Sequence, residues 1–376
     1  MRIRSRATAA TCCALALSFA LGGCGGAGAS SSGASQAAAS SAAGAQSAGA
    51  QASEAKAALD EGIGYWFGTG ESGYDMEKAR AAFQQAADKG DAEGYYWLGQ
   101  LRLYDVDAER WPEVIELYQK AADNGCAKGL CGLGRLYERG HGVEANGAKA
   151  AELFQQAIDA GEPYGYACLA YLYESGIGVE ENGAKAAELY EKAMASDDFE
   201  TRNVARFNLG RMYNRGAEGL AADITKTQEL FQASADENYY DGWKGLGILY
   251  SAQGTVYGGS AELGVDYDKQ FEYFSKEAEL GCRYELGICY MEGKGCEQDF
   301  AKAFELFSQD ARGGRRAAWA MVGLASLHIS GAGVEKNLDT AADWCNKAIV
   351  AAGPNDVGVA ETANQLLAKI AERSQA

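Results

Sequence analysis

Proline and histidine are nearly absent from this 376-residue chain, with 3 of the first and 2 of the second. So few prolines leave long stretches free to coil into helix, and the abundant Ala, Leu and Glu favour it. His141 and His328 lie far apart in the repeat pattern described below. A Ser-His or Cys-His pair built on either would need partners converging from distant parts of the chain. Basic residues are also short, 34 Lys and Arg against 52 Asp and Glu, for a formal net charge of −18. That field repels phosphate backbones and anionic lipid surfaces, so nucleic acid is excluded as a partner and neutral or basic partners remain. Near the N-terminus, the apolar stretch from Ala7 to Ala20 is too short to span a bilayer comfortably.

The same stretch has a different use. Arg2, Arg4 and Arg6 precede it and Leu21-Gly22-Gly23-Cys24 follows it, the layout of an export signal. The ending resembles the lipobox of bacterial lipoproteins, which implies a removed segment 1–23 and lipidation at Cys24. Every residue from Gly25 to Ser53 is Gly, Ala, Ser or Gln, a tether composition, so 24–55 is expected to be a lipidated linker. The expected location is extracytoplasmic, on a bacterial cell membrane, touching it through the lipid alone. Beyond Cys12, Cys13 and Cys24 the cysteines are Cys126, Cys131, Cys168, Cys282, Cys289, Cys296 and Cys345. In an exported chain this odd set allows one or more disulfides and leaves at least one thiol free, with the pairing open.

Two stretches are almost copies: "GHGVEANGAKAAELFQQA" from Gly140 and "GIGVEENGAKAAELYEKA" from Gly176. A fixed period of this length marks stacked helical units sharing a continuous core. Eight units follow, with second helices centred at Ala82, Leu117, Leu153, Leu189, Leu230, Tyr273, Leu306 and Trp344. Each reads as helix A, turn, helix B. In the third unit Leu133, Leu136 and Tyr137 form one apolar stripe, and Ala150, Leu153, Phe154 and Ala157 form the other. Asp75, Asn146, Asn182, Asp223, Asp266, Asp299 and Asn337 stand just before helix B as expected N-caps; the second unit has Arg110-Trp111-Pro112 instead. Glycines such as Gly140, Gly176, Gly216, Gly293 and Gly331 close helix A, and Gly90, Gly125, Gly161, Gly281 and Gly314 follow helix B, as expected of left-handed caps.

From Leu133 to Gly161, "LGRLYERGHGVEANGAKAAELFQQAIDAG" resembles a Sel1-like repeat, a relative of the tetratricopeptide repeat. Units three, four, seven and eight match closely, and one, two, five and six are degenerate but in register. The resemblance implies an all-α, right-handed α-solenoid superhelix of about eight repeats over 56–352, serving as scaffold or adaptor for other proteins. An open array exposes an apolar end. Val359, Leu366, Leu367 and Ile370 are spaced as a C-terminal capping helix within 353–376, with Asn355 or Asp356 placed to start it.

No constellation points to catalysis, and no cofactor or metal is expected. Gly68-Thr69-Gly70-Glu71-Ser72-Gly73 fits GxGxxG but follows a helix rather than a strand, so it reads as a repeat turn. Cys282, Cys289 and Cys296 are seven apart, wider than zinc spacing. His328 occupies a column of tyrosines and is expected to pack; His141 lies in a turn and is expected to be exposed. The aromatics carry more information. Tyr95, Tyr96 and Trp97, then Tyr164, Tyr166 and Tyr171, then Tyr239, Tyr240 and Trp243, and Trp319 fall on A helices, the concave side of such arrays. Tyr95, Tyr96, Tyr166, Tyr240, Trp243, Tyr257 and Trp319 are the candidate contacts for a protein or peptide partner in the cell envelope. Unit six has an insertion, "SAQGTVYGGSAELG", and carries Gln270 and Glu277 where unit three has alanines. The competing function is a cell-wall ligand-binding protein or hydrolase of muropeptide or β-lactam type. It is suggested by secreted cysteine-rich relatives with a cysteine pair in each repeat, a regularity missing in this chain.

Overall fold

The computed structural model describes residues 34–67, 75–103, 110–252, 263–312, 316–352 and 357–374. The chain divides into two units, 1–50 and 51–376. Of the first, only the helical residues from Ala34 are described. Cys24, Tyr257, the Gly68–Gly73 turn, Gly314, Asn355 and Asp356 lie outside the described residues. The helix α1 (Ala34–Phe67) reaches back into the stretch read as a tether, where alanine's high helix propensity outweighs the scattered glycines.

The second unit is eight consecutive helical hairpins. They pair the end of α1 with α2 (Met76–Asp88), α3 (Ala92–Arg102) with α4 (Arg110–Asp123), and α5 (Lys128–Arg139) with α6 (Gly147–Asp159). Next come α7 (Tyr164–Ser175) with α8 (Gly183–Met194), α9 (Phe199–Arg215) with α10 (Ile224–Asp236), and α11 (Tyr240–Leu249) with α12 (Tyr267–Glu279). The last are α13 (Tyr284–Glu292) with α14 (Phe300–Asp310) and α15 (Ala317–Ser330) with α16 (Leu338–Ala352). Among the described residues no strand is present, only an isolated bridge between Ala217 and Leu220. Each helix packs on the next in sequence, which makes the fold an all-α solenoid. A final helix, α17 (Val357–Ser374), lies on α15 and α16 and buries Val359, Ala363 and Ile370 over Val322, Ala341 and Cys345.

Packing repeats from unit to unit. Helix B contributes one large buried ring, Phe83, Tyr118, Phe154, Tyr190, Phe231, Phe274 or Phe307. Six of these rings lie on glycines of neighbouring A helices: Phe83 on Gly62, Tyr118 on Gly99 and Gly132, Phe154 on Gly134, Phe231 on Gly210 and Gly245, Phe274 on Gly247, and Phe307 on Gly287 and Gly323. A Cβ at any of these glycines would overlap the ring, so the smallest side chain is needed to let helices approach this closely. Burying each ring contributes roughly 1.5–3 kcal/mol. Units four and eight vary the theme. Ala170 replaces glycine beside Tyr190, and Cys345 replaces the ring while Ala325 replaces the glycine.

Turns stack as well. The carbonyl of Glu218, in the turn of unit five, accepts a hydrogen bond from Gly183 N–H at the start of α8, and Gly178 rests against Gly147 at the start of α6. Gly140 and Gly176 are left-handed caps, with φ 73° and 65°. Gly216 departs from that expectation: its φ of 71° comes with ψ of 164°, sending the chain outward into the Ala217–Leu220 bridge.

Every expected N-cap side chain accepts a backbone hydrogen bond from the first helical turn. Asp75, Asn146, Asn182, Asp223, Asp266 and Asp299 accept from Lys78, Lys149, Lys185, Lys226, Lys269 and Lys302. Asn337 accepts from Thr340. The α4 helix starts at Arg110 with Pro112 in its first turn. Because the Asn146 side chain satisfies an otherwise free amide, Asn146→Ala should cost about 1 kcal/mol. A urea unfolding midpoint that falls accordingly is the expected result, and an unmoved midpoint would contradict the capping role.

Candidate functional site

Two layers run the length of the array. Successive A helices touch one another directly, α3 to α5, α7, α9 and α11 in turn, and again α13 to α15. This row is the tighter, inner layer, and polar bonds cross it between repeats. Lys128 of α5 pairs with Glu93 of α3 at 2.5 Å, and Arg316 with Glu285 of α13 at 2.9 Å. In the middle of the row Glu174 of α7 accepts from the Tyr190 hydroxyl at 2.8 Å and from Arg211 and Arg215 of α9.

The aromatic candidates distribute unevenly on this layer. Tyr95 packs beside the Phe83 cluster, while Tyr96 stacks on Tyr118 at 5.9 Å and meets Trp97 edge-on. Burial, more than the neighbouring Tyr118 and Tyr164, pushes the Tyr96 hydroxyl well above its usual pKa. Tyr166 packs into the α7–α8 core, and Tyr240 lies on Tyr239 at 4.9 Å. Trp243 stacks on Tyr273 at 6.1 Å under the Lys276 ammonium, and Trp319 meets Tyr284 at 6.0 Å. All six described candidates are half-buried, and the structure does not gather them into one site.

What it does gather is a different set. One cavity of about 280 Å³ spans α5, α7 and α9, lined by Arg135, Glu138, Arg139, Tyr164, Ala167, Cys168, Tyr171, Val204 and Asn208. Arg135 Nη1 donates to the Tyr164 hydroxyl at 3.0 Å, and Tyr171 is the exposed ring, 38% accessible. Carboxylates sit low and guanidiniums high. Side-chain exposure is 9% for Glu138 against 32% for its partner Arg139, and 1% for Glu174 against 43% and 40% for Arg211 and Arg215. On a strongly acidic chain, the side chains of these pairs that reach solvent beside the cavity are therefore the arginines.

Arg135, Tyr171 and Arg211 occupy one position in the repeat, the third residue of "LGRLY", "LAYLY" and "LGRMY". That column was readable in the sequence, since it is where Gln100, Ile248, Ile288 and Ser326 also fall, yet weighting aromatics over arginines passed it by.

Both histidines pack against aromatic rings. His141 is half-buried rather than exposed, stacked on Trp111 at 4.7 Å, because Gly142 brings the turn down onto that ring. Burial, with Arg139 and Arg110 nearby, lowers its pKa. His328 meets Phe304 edge-on and its Nδ1 lies 3.2 Å from the Glu335 carbonyl. All seven described cysteines are thiols, and the neighbouring Cys168 of α7, with burial, pushes the Cys131 thiol of α5 well above its usual pKa. Among the described residues no three His, Cys, Asp or Glu side chains group as metal ligands.

Unit six holds an anomaly. Glu277, fully buried on α12, has no hydrogen-bond partner for either oxygen among the described residues, and the buried Gln270 oxygen is likewise unmatched. Burial first, then the neighbouring Glu285, raises the Glu277 pKa well above its usual value, against Lys244 and Arg316 and with Asp241 adding to the rise.

These features define an α-solenoid repeat protein. The Sel1 repeat profile matches residues 56–91, 115–126, 127–162, 164–198, 203–239, 280–314 and 320–349, more than half of the sequence, and the chain belongs to the Sel1 repeat family. Unit six is the hairpin left unmatched, in keeping with its insertion and buried polar side chains. Among solved structures, a Sel1 repeat protein from Oxalobacter formigenes is similar at 21% identity and TM-score 0.45, over 68% of this chain and 96% of that one. A protective antigen from uropathogenic Escherichia coli with an SLR fold is similar at 22% identity and TM-score 0.23, over 85% and 92%. A Sel1 repeat protein from Klebsiella pneumoniae is similar at 18% and 0.35, over 78% and 99%. No curated protein matches.

Glu277 yields a pH test. Its folded pKa is raised, so the folded chain binds more protons than the unfolded one above the ordinary carboxylate range. Stability should then fall as pH climbs from about 4.5 towards the raised value. Glu277→Gln should flatten that slope and raise the melting temperature at pH 7 relative to the unsubstituted chain, with the two converging near pH 4.5. A variant that melts lower at pH 7 would show the carboxylate to be stabilising instead.

Proposed function

We propose that this chain is a lipid-anchored, extracytoplasmic scaffold that holds protein or peptide partners on the face formed by its A helices. One observation carries the reading: three successive A helices share a single cavity, with exposed arginines and Tyr171 around it and their counter-charges sunk beneath. Sel1 repeats generally mediate protein–protein interaction, and an inner layer of repeats is where such arrays offer extended binding surface. The anchor rests on the basic residues, apolar stretch and Cys24 of the N-terminus.

Two measurements test the two halves. A photo-crosslinker at Tyr171 should capture a reproducible envelope protein, and the same group at Gln156, exposed on α6, should not. Equal capture at both positions, or none, would contradict the face. Cys24→Ser should abolish lipid on the N-terminus by mass spectrometry and release the chain from the membrane fraction; an unchanged distribution would rule out the anchor.

A further inference from the structure

The geometry points to a carboxylate-binding site: we infer that the α5–α7–α9 cavity receives an acidic side chain of a peptide partner, held by Arg135. The inference rests on the reading of the A-helix face given above and names the chemistry of what docks there.

Arg135 is the starting point. A guanidinium offers five N–H donors. Here one hydrogen bond goes to the neutral Tyr164 hydroxyl, and among the described residues no carboxylate lies within ion-pair distance, Glu138 acting on it only from further off. Neighbouring arginines are different: Arg139 faces Glu138, and Arg211 and Arg215 share Glu174. Arg135 therefore keeps a charged fork unpaired at the edge of a cavity, the arrangement that planar carboxylates fit.

The surroundings narrow the ligand further. Asn208 on α9 adds an amide on the opposite wall, and Tyr171 offers an exposed ring beside the entrance. Glu138 lines the cavity but is far less exposed than Arg139, and Glu174 is buried beneath Arg211 and Arg215, so an anion arriving from solvent meets the arginines first. A volume of about 280 Å³ admits a side chain, not a folded surface. The net charge of −18 works against long polyanions, which would leave the cationic patch and meet the acidic remainder of the chain. An acidic segment of a few residues satisfies both constraints.

The test uses the full chain and fluorescence anisotropy with a labelled octapeptide of alternating glutamate and alanine, its glutamine counterpart, and labelled oligothymidylate. The glutamate peptide should bind with one-to-one stoichiometry and at least about tenfold more tightly than the glutamine peptide. Arg135→Gln should weaken it about tenfold, and the control Lys347→Gln, an exposed side chain of α16 remote from the cavity in sequence, less than about twofold. Melting temperatures should match, since Arg135 is exposed and caps no buried charge. Glutamate and glutamine peptides binding alike or not at all would overturn the inference. So would an Arg135→Gln chain that binds like the original, or oligothymidylate binding that depends on Arg135. If Tyr171 still crosslinks a partner in those cases, the interaction face stands and only the carboxylate assignment falls.

Discussion

A flat aromatic ring lying on a glycine is the contact on which this architecture depends. It lets the ring of helix B lie directly on the backbone of helix A, and Gly94, Gly129, Gly165 and Gly242 bring the backbones themselves close at the junction between one unit and the next. At those four positions an added Cβ would meet the backbone of the preceding B helix, around Phe83, Tyr118, Phe154 and Phe231 respectively. Ring and backbone are thus shared: the residue that fills one hairpin also shapes the seat of its successor. Nearest-neighbour coupling of this kind is what makes a solenoid cooperative without a central core.

The inner layer inherits its properties from that spacing. Pulling the A helices together brings the third position of each "LG" motif into a column, so single substitutions there face one another across repeats. Arg135, Tyr171 and Arg211 share that column, and Glu138 and Glu174 stand one helical turn beyond Arg135 and Tyr171, far less exposed than the arginines they pair with. Charge separation over a few ångströms follows from helical phase alone. In unit six the same closeness acts against the fold, because Glu277 stands in an alanine column and must be accommodated beside Glu285.

Much of this was legible beforehand, for a physical reason. Helical period, N-cap chemistry and the glycine turns are local signals, written within a few residues, and Asn146 or Asp299 reads the same in sequence as in space. The C-terminal helix was legible for the same reason, from the spacing of Val359, Leu366 and Ile370. What was not legible is the direction and depth of individual side chains. Tyr96 and Trp243 are as aromatic as Tyr171, and only the packing of Tyr118 and Tyr273 against them decides which ring reaches solvent. Arg135 looks like any surface arginine until Tyr164, 29 residues later, takes the place where an acid would stand.

The most direct measurement is a double-mutant cycle at one ring and one glycine, Gly134→Ala and Phe154→Leu, read as unfolding free energies. Alanine is the better helix former by about 1 kcal/mol, so without the ring contact the first change would stabilise. The account predicts that Gly134→Ala destabilises the array and that the smaller leucine relieves it, giving a coupling of at least about 1 kcal/mol. Additive effects, or a stabilising Gly134→Ala, would contradict the claim that ring-on-glycine contacts hold the hairpins together.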